Sequence, residues 1–171
     1  MKTQRRHTAR RTLRQAILAG SIAAFIGGHH GQAASGTWNG TTSAVWALDA
    51  NWSASPFPGT GDTATFNNAG NGNVVLDLGG GITINTLFFN TASVAAYTIG
   101  SGAVGSQTLT LDNGGAITLA STVAANQLVN AAMVLGNDGT AQTFTLTNGS
   151  TTNSLAIAAA SPARRVRALK H

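Results

Sequence analysis

The sequence predicts an all-β fold. Within that class it predicts a short β-solenoid of stacked rungs with a Trp-rich N-terminal cap; a β-sandwich is the alternative. Three observations lead there. From Ala34 onward, apolar residues recur in pairs two positions apart, with Thr, Asn or Ala between them. The runs are separated by Gly, Asn and Asp, which suit turns and positive φ. One run, "TLTLDNG" (Thr108 to Gly114), returns 35 residues later as "TFTLTNG" (Thr143 to Gly149).

Residues 1–33 read as a signal peptide. A basic stretch from Met1 to Arg14 leads into the apolar run Ala16 to Gly28, and Gly31 and Ala33 supply the small residues of a cleavage site after Ala33. The apolar run is too short and too rich in Gly and Ser for a membrane span. The chain is therefore expected to be exported, to the cell surface or the extracellular space, with no membrane span in its mature part.

Residues 34–70 form the expected cap. Trp38, Trp46 and Trp52 are the three tryptophans of the chain, and they fall within fifteen residues. A platform for sugars would need exposed, coplanar indoles. A cap would bury them over the first rung, each covering roughly 150–250 Å², with the indole N–H groups on loop carbonyls. Asn51 and Pro56-Phe57-Pro58 suit an irregular, rigid cap.

Residues 71–160 hold the expected rungs. Val75 or Leu76, then Ile82, Ile84 and Leu87, Tyr97 and Ile99, Leu109 and Leu111, Ile117 and Leu119, Phe144 and Leu146, and Leu155 and Ile157 mark half-buried strands. "STVAANQLVNAAMVLG" can be read as a helix by itself, but its neighbours argue for strand and loop. Residues 161–171 change composition abruptly, with Arg164, Arg165, Arg167 and Lys170 after a long uncharged stretch. They are expected to lie outside the fold.

Charge and chemistry narrow the function. All ten basic residues sit at the two ends, and the body between Gln15 and Ala163 carries only Asp49, Asp62, Asp77, Asp112 and Asp138. A patch able to neutralise phosphates is missing there, so no nucleic-acid partner is expected. With the signal segment and the tail removed, residues 34–160 also lack His, Cys, Lys, Arg and Glu. That leaves a serine without a base, a zinc ion without nitrogen or sulfur ligands, and a phosphoryl group without a cationic clamp. Five scattered Asp fall short of the oxygens calcium takes. No cofactor and no metal are expected. A carboxylate pair, Asp49 with Asp62, is the one catalytic option, for glycan cleavage. Against it, Asp62 and Asp112 read as turn-formers, and the chain is expected not to be an enzyme.

The mature part resembles the autotransporter-associated β-strand repeat proteins, exported bacterial passengers. The residues that carry the resemblance are Trp38-Asn39-Gly40, Trp46, Ala50-Asn51-Trp52 and Pro58-Gly59-Thr60-Gly61-Asp62-Thr63-Ala64-Thr65-Phe66. An I-x-x-L-x-F strand follows at Ile84, Leu87 and Phe89. The resemblance implies a right-handed parallel β-helix, surface display or adhesion in a Gram-negative-type bacterium, and no reaction. The chain is shorter than many such proteins and offers no outer-membrane barrel strands, so it is expected to be a truncated passenger. The expected function is a surface or matrix scaffold, with polysaccharide of the cell surface or extracellular space as partner. A carbohydrate-binding module using Trp38, Trp46 and Trp52 is the alternative, and a β-helical glycan-cleaving enzyme the second.

Overall fold

The computed structural model describes residues 34–136 and 138–160. The expected signal segment with its cleavage after Ala33, and the basic tail 161–171, lie outside the described residues. The fold is a parallel β-solenoid of about four turns, not a sandwich. Its strands are β1 (Gly36–Thr37), β2 (Thr63–Phe66), β3 (Val75–Leu76), β4 (Ile82–Phe89), β5 (Thr98–Ile99), β6 (Thr108–Leu119), β7 (Gln127–Leu135), β8 (Thr145–Asn148) and β9 (Leu155–Ala160).

Every pairing between these strands is parallel, which separates stacked rungs from the hairpins of a sandwich. Three ladders run along the stack. In the first, Ala64, Leu87, Ile117 and Leu146 follow one another in register, beside Phe66, Phe89, Leu119 and Asn148. The second carries Leu76, Ile99, Val129 and Ile157. The third carries Ile82, Leu109 and Met133, with Ile84, Leu111 and Leu135 alongside. Inward residues of all three ladders form one core, and Ile84, Leu87, Phe89, Ile99, Leu109, Leu111, Ile117, Leu119 and Val129 are fully buried.

The segment that can be read as a helix is β7, with Gln127, Val129 and Ala131 buried. Parallel neighbours on both sides supply its backbone partners, so tertiary pairing overrides local periodicity. "DNGG" does not end a strand either. The chain runs through it as β6, and Asn85 on β4 faces the four residues Asp112 to Gly115 as a bulge. Gly114 takes φ 71°, and a Cβ at Gly115 would sit 2.7 Å from the Asn85 carbonyl oxygen. The two copies of the 35-residue sequence repeat occupy different places. Thr108–Leu111 pairs within the third ladder, whereas Thr145–Asn148 stacks on Ala116–Leu119 in the first. Rung length follows the ladders instead, from Ala64 to Leu87 and from Leu87 to Ile117.

Side-chain amides tie each rung to the next where the backbone turns. Gln127 Oε1 accepts from Tyr97 N at 3.0 Å, while its Nε2 donates to Ala95 O at 2.9 Å and Ala125 O at 3.0 Å. Asn130 Nδ2 donates to Gly100 O and Gly102 O, and Asn153 Nδ2 to Val123 O. These bonds satisfy corner groups that ladder pairing cannot reach.

Phe66 stacks on Phe89 with ring centroids 5.1 Å apart, both fully buried. Phe66→Ala or Phe89→Ala is expected to lower stability by about 3–5 kcal/mol, against less than about 0.5 kcal/mol for the outward-facing Thr118→Ala. Urea unfolding of the three variants checks the contrast.

The tryptophan cap as candidate functional site

The cap begins with the first strand folding under its own return. Trp38 N donates to Thr65 O, continuing the β1–β2 pairing, and Trp38 forms an antiparallel bridge with Trp52 on its other side. Ser53 N donates to Thr37 O, and Asn39 N and Gly40 N both donate to Asn51 O. Residues 51–53 therefore occupy the outer edge of β1, which would otherwise offer unpaired backbone to another strand.

Asn51 makes this possible. It is fully buried at the end of a single 3₁₀ turn, Asp49–Asn51. Its Oδ1 accepts from Thr42 N at 2.9 Å and Ser43 N at 3.0 Å. Its Nδ2 donates to Ser43 Oγ at 3.1 Å and Val45 O at 2.8 Å. One amide thus satisfies a whole loop. Asp49 holds the following loop, accepting from Ser55 Oγ at 2.6 Å and Phe57 N at 2.9 Å.

The three indoles lie inside this frame. Trp38 and Trp46 are 0% exposed and Trp52 5%. Trp38 and Trp52 meet edge to face at 76°, Trp46 and Trp52 at 61°. All three approach Phe66, with centroids 6.0–6.5 Å away. Their N–H groups donate to Asn73 O, Pro58 O and Trp46 O at 3.1, 2.9 and 2.7 Å. Buried, inclined rings with satisfied donors are not the exposed coplanar platform that a sugar site on Trp38, Trp46 and Trp52 requires. They cover the end of the core.

Tyr97 extends the cluster. Its ring lies 4.9 Å from Phe66, and its hydroxyl donates to Asn68 O at 3.0 Å. Gly70 is next to it at φ 58°, and a side chain there would collide with the Tyr97 hydroxyl. Burial pushes the Tyr97 pKa up to about 12. The sequence marks Tyr97 only as an inward strand residue. Its hydroxyl contact depends on a distant corner.

The carboxylates are spent on backbone amides of their own loops and of the β6 bulge. Asp62 Oδ2 accepts from Gly59 N at 2.7 Å, and its buried Oδ1 has no hydrogen-bond partner. Asp112 Oδ1 accepts from Asn113 N. Asp77 is held below the usual carboxylate range by the Gly79 N–H and then by the Gln107 amide. The Thr140 hydroxyl and N–H lower Asp138 in the same way. Four of the five Asp thus accept a backbone N–H within three residues, and Asp49 accepts that of Phe57 across its loop. Two shallow clefts flank the cap. One, of about 360 Å³, lies between Phe57, Thr60 and Gly79–Gly81; the other, of about 450 Å³, lies beside Asn39, Asn68 and Asn71. Neither is lined by Asp49, Asp62 or an indole.

These features define a parallel β-solenoid whose N-terminal end is closed by a hydrogen-bonded tryptophan cap. Comparison of the chain with family models, curated proteins and solved structures finds no match.

Two measurements test the cap. Tryptophan emission is expected to be blue-shifted, resistant to iodide and unmoved by added glucan oligosaccharide; strong iodide quenching would contradict the burial. Tyr97 is the one tyrosine of the chain, so tyrosinate absorbance reports it alone. The folded pKa is raised, so the native state holds its proton more tightly above pH 10. Stability is therefore complete below about pH 10 and falls as pH rises toward 12. A spectrophotometric titration should show ionisation coincident with loss of structure, not preceding it.

Proposed function

We propose that the chain is an exported, non-catalytic β-solenoid scaffold of the cell surface or extracellular matrix, of the autotransporter passenger type, serving adhesion. The observation that carries this reading is the use the fold makes of its chemistry. Its three indoles close its own core and its carboxylates bind its own backbone amides. The regular outer surface of the rungs is what remains to meet a partner. The leader-like composition of residues 1–33 supports export. Burial of Trp38, Trp46 and Trp52 weighs against a carbohydrate module built on those rings. The hydrogen bonds of Asp49 and Asp62 within separate loops weigh against their acting as a catalytic pair.

Expression in a Gram-negative host tests the reading. The expected product carries Ala34 at its N-terminus and is found at the cell surface or in the medium. A chain that keeps residues 1–33 and stays in the cytosol would overturn it.

A further inference from the structure

The first ladder has the largest outward threonine array, and it surrounds a phenylalanine; the third ladder carries a smaller one, Thr83, Thr108 and Thr110 beside Ala132 and Val134. Beside the buried residues of the first ladder, the in-register outward positions are Thr63, Thr86, Ala116 and Thr145 in one column. The second column holds Thr37, Thr65, Phe88, Thr118 and Thr147. Seven of these nine positions are threonine. On the second ladder the corresponding outward residues are Val75, Thr98, Leu128 and Ala156, so strand propensity alone does not impose threonine.

The hydroxyls of this face are available. Thr86 Oγ1 donates to Asn85 Oδ1 at 3.0 Å. Those of Thr37, Thr63, Thr65, Thr118, Thr145 and Thr147 make no hydrogen bond among the described residues, so each keeps a donor and acceptor for a partner. Parallel rungs place them roughly 4.8 Å apart along the stack, and the two columns lie about 6.6 Å apart across it. At the centre stands Phe88, half-buried and between Thr65 and Thr118. The face carries no charge, and the only charges of the body between Gln15 and Ala163 are negative.

We propose that this threonine face binds a neutral, extended polysaccharide lying along the stack. A flat sugar chain presents apolar C–H ring faces and rows of hydroxyls. Phe88 offers a ring to the first and the threonine columns offer partners to the second. The absence of cations on the face and the acidic body disfavour a uronate polymer. The half-buried ring of Phe88 interrupts the threonine column that an ice surface would need unbroken. The inference deepens the surface-scaffold reading and rests on it for where such a glycan is met.

The test is depletion of the full chain from solution by phosphoric-acid-swollen cellulose and by chitin beads, with immobilised polygalacturonate as the acidic comparison. The expected result is binding to a neutral polymer and not to polygalacturonate. Phe88→Ala and Thr118→Lys should each weaken binding by about tenfold or more, while Thr110→Lys, outward on the third ladder, leaves it unchanged. Circular dichroism and urea midpoints verify that each variant is folded. No binding to either neutral polymer, equal loss in Thr110→Lys, preferential binding to polygalacturonate or adsorption to ice would each overturn the proposal. A chain that reaches the surface with Ala34 first but ignores cellulose and chitin ends the glycan face and keeps the scaffold. One that binds them yet stays in the cytosol does the reverse.

Discussion

The ring of Phe66 is where the regular and irregular parts of this protein meet. Its one side lies on Phe89 and so on the column that continues through Leu119; three indoles and Tyr97 surround the rest. A stack of parallel rungs has no natural end, because each rung leaves one strand edge and one slice of core for the next. At the N-terminal end the chain meets both needs at once. The indoles cover the slice of core, and residues 51–53 cover the edge of β1. This explains why the three indoles collect in one short stretch while smaller side chains fill most of the core elsewhere. The opposite end differs: Leu146 on β8 is 49% exposed.

With so few charges in the body, the fold relies on amides for its polar order. Asn51 satisfies a loop, while Gln127, Asn130 and Asn153 link corners of successive rungs. An amide both donates and accepts, and it carries no Born cost when buried, so it serves a corner better than a carboxylate or ammonium group. Asp remains where a nearby backbone amide needs a strong acceptor, at the surface for all but the buried Asp62. The outer faces are left to small neutral residues, and their pattern alone distinguishes one face from another.

Much of the cap was legible because its signals are local. The clustering of Trp38, Trp46 and Trp52 and the irregular "SPFPG" point to burial, and the indole N–H groups do reach loop carbonyls. Asp62 as a turn-former follows from its neighbours in sequence, whereas Asp112 binds the next amide within the bulge of β6 rather than in a turn. The 35-residue repeat misled about rung register because Thr-Leu-Thr strands and Asn-Gly corners recur on different ladders. A short motif records that a strand meets a corner, but not which corner. "DNGG" likewise announces positive φ without saying whether the chain reverses or bulges onward.

The sequence by itself determined the all-β class, the capped end and most inward residues, because alternation, turn chemistry and the scarcity of aromatics act over a few residues. The parallel pairing decided for the solenoid over the sandwich, and it left Leu146 exposed. Only the tertiary structure decided the register of the rungs, the bracket that Asn51 places around its loop, the contact of Tyr97 with Asn68 and the alignment of threonines on one face. Each of these joins residues from different turns, and the physical reason is common to all. Corner lengths vary from rung to rung, so positions that share a column share no fixed spacing along the chain.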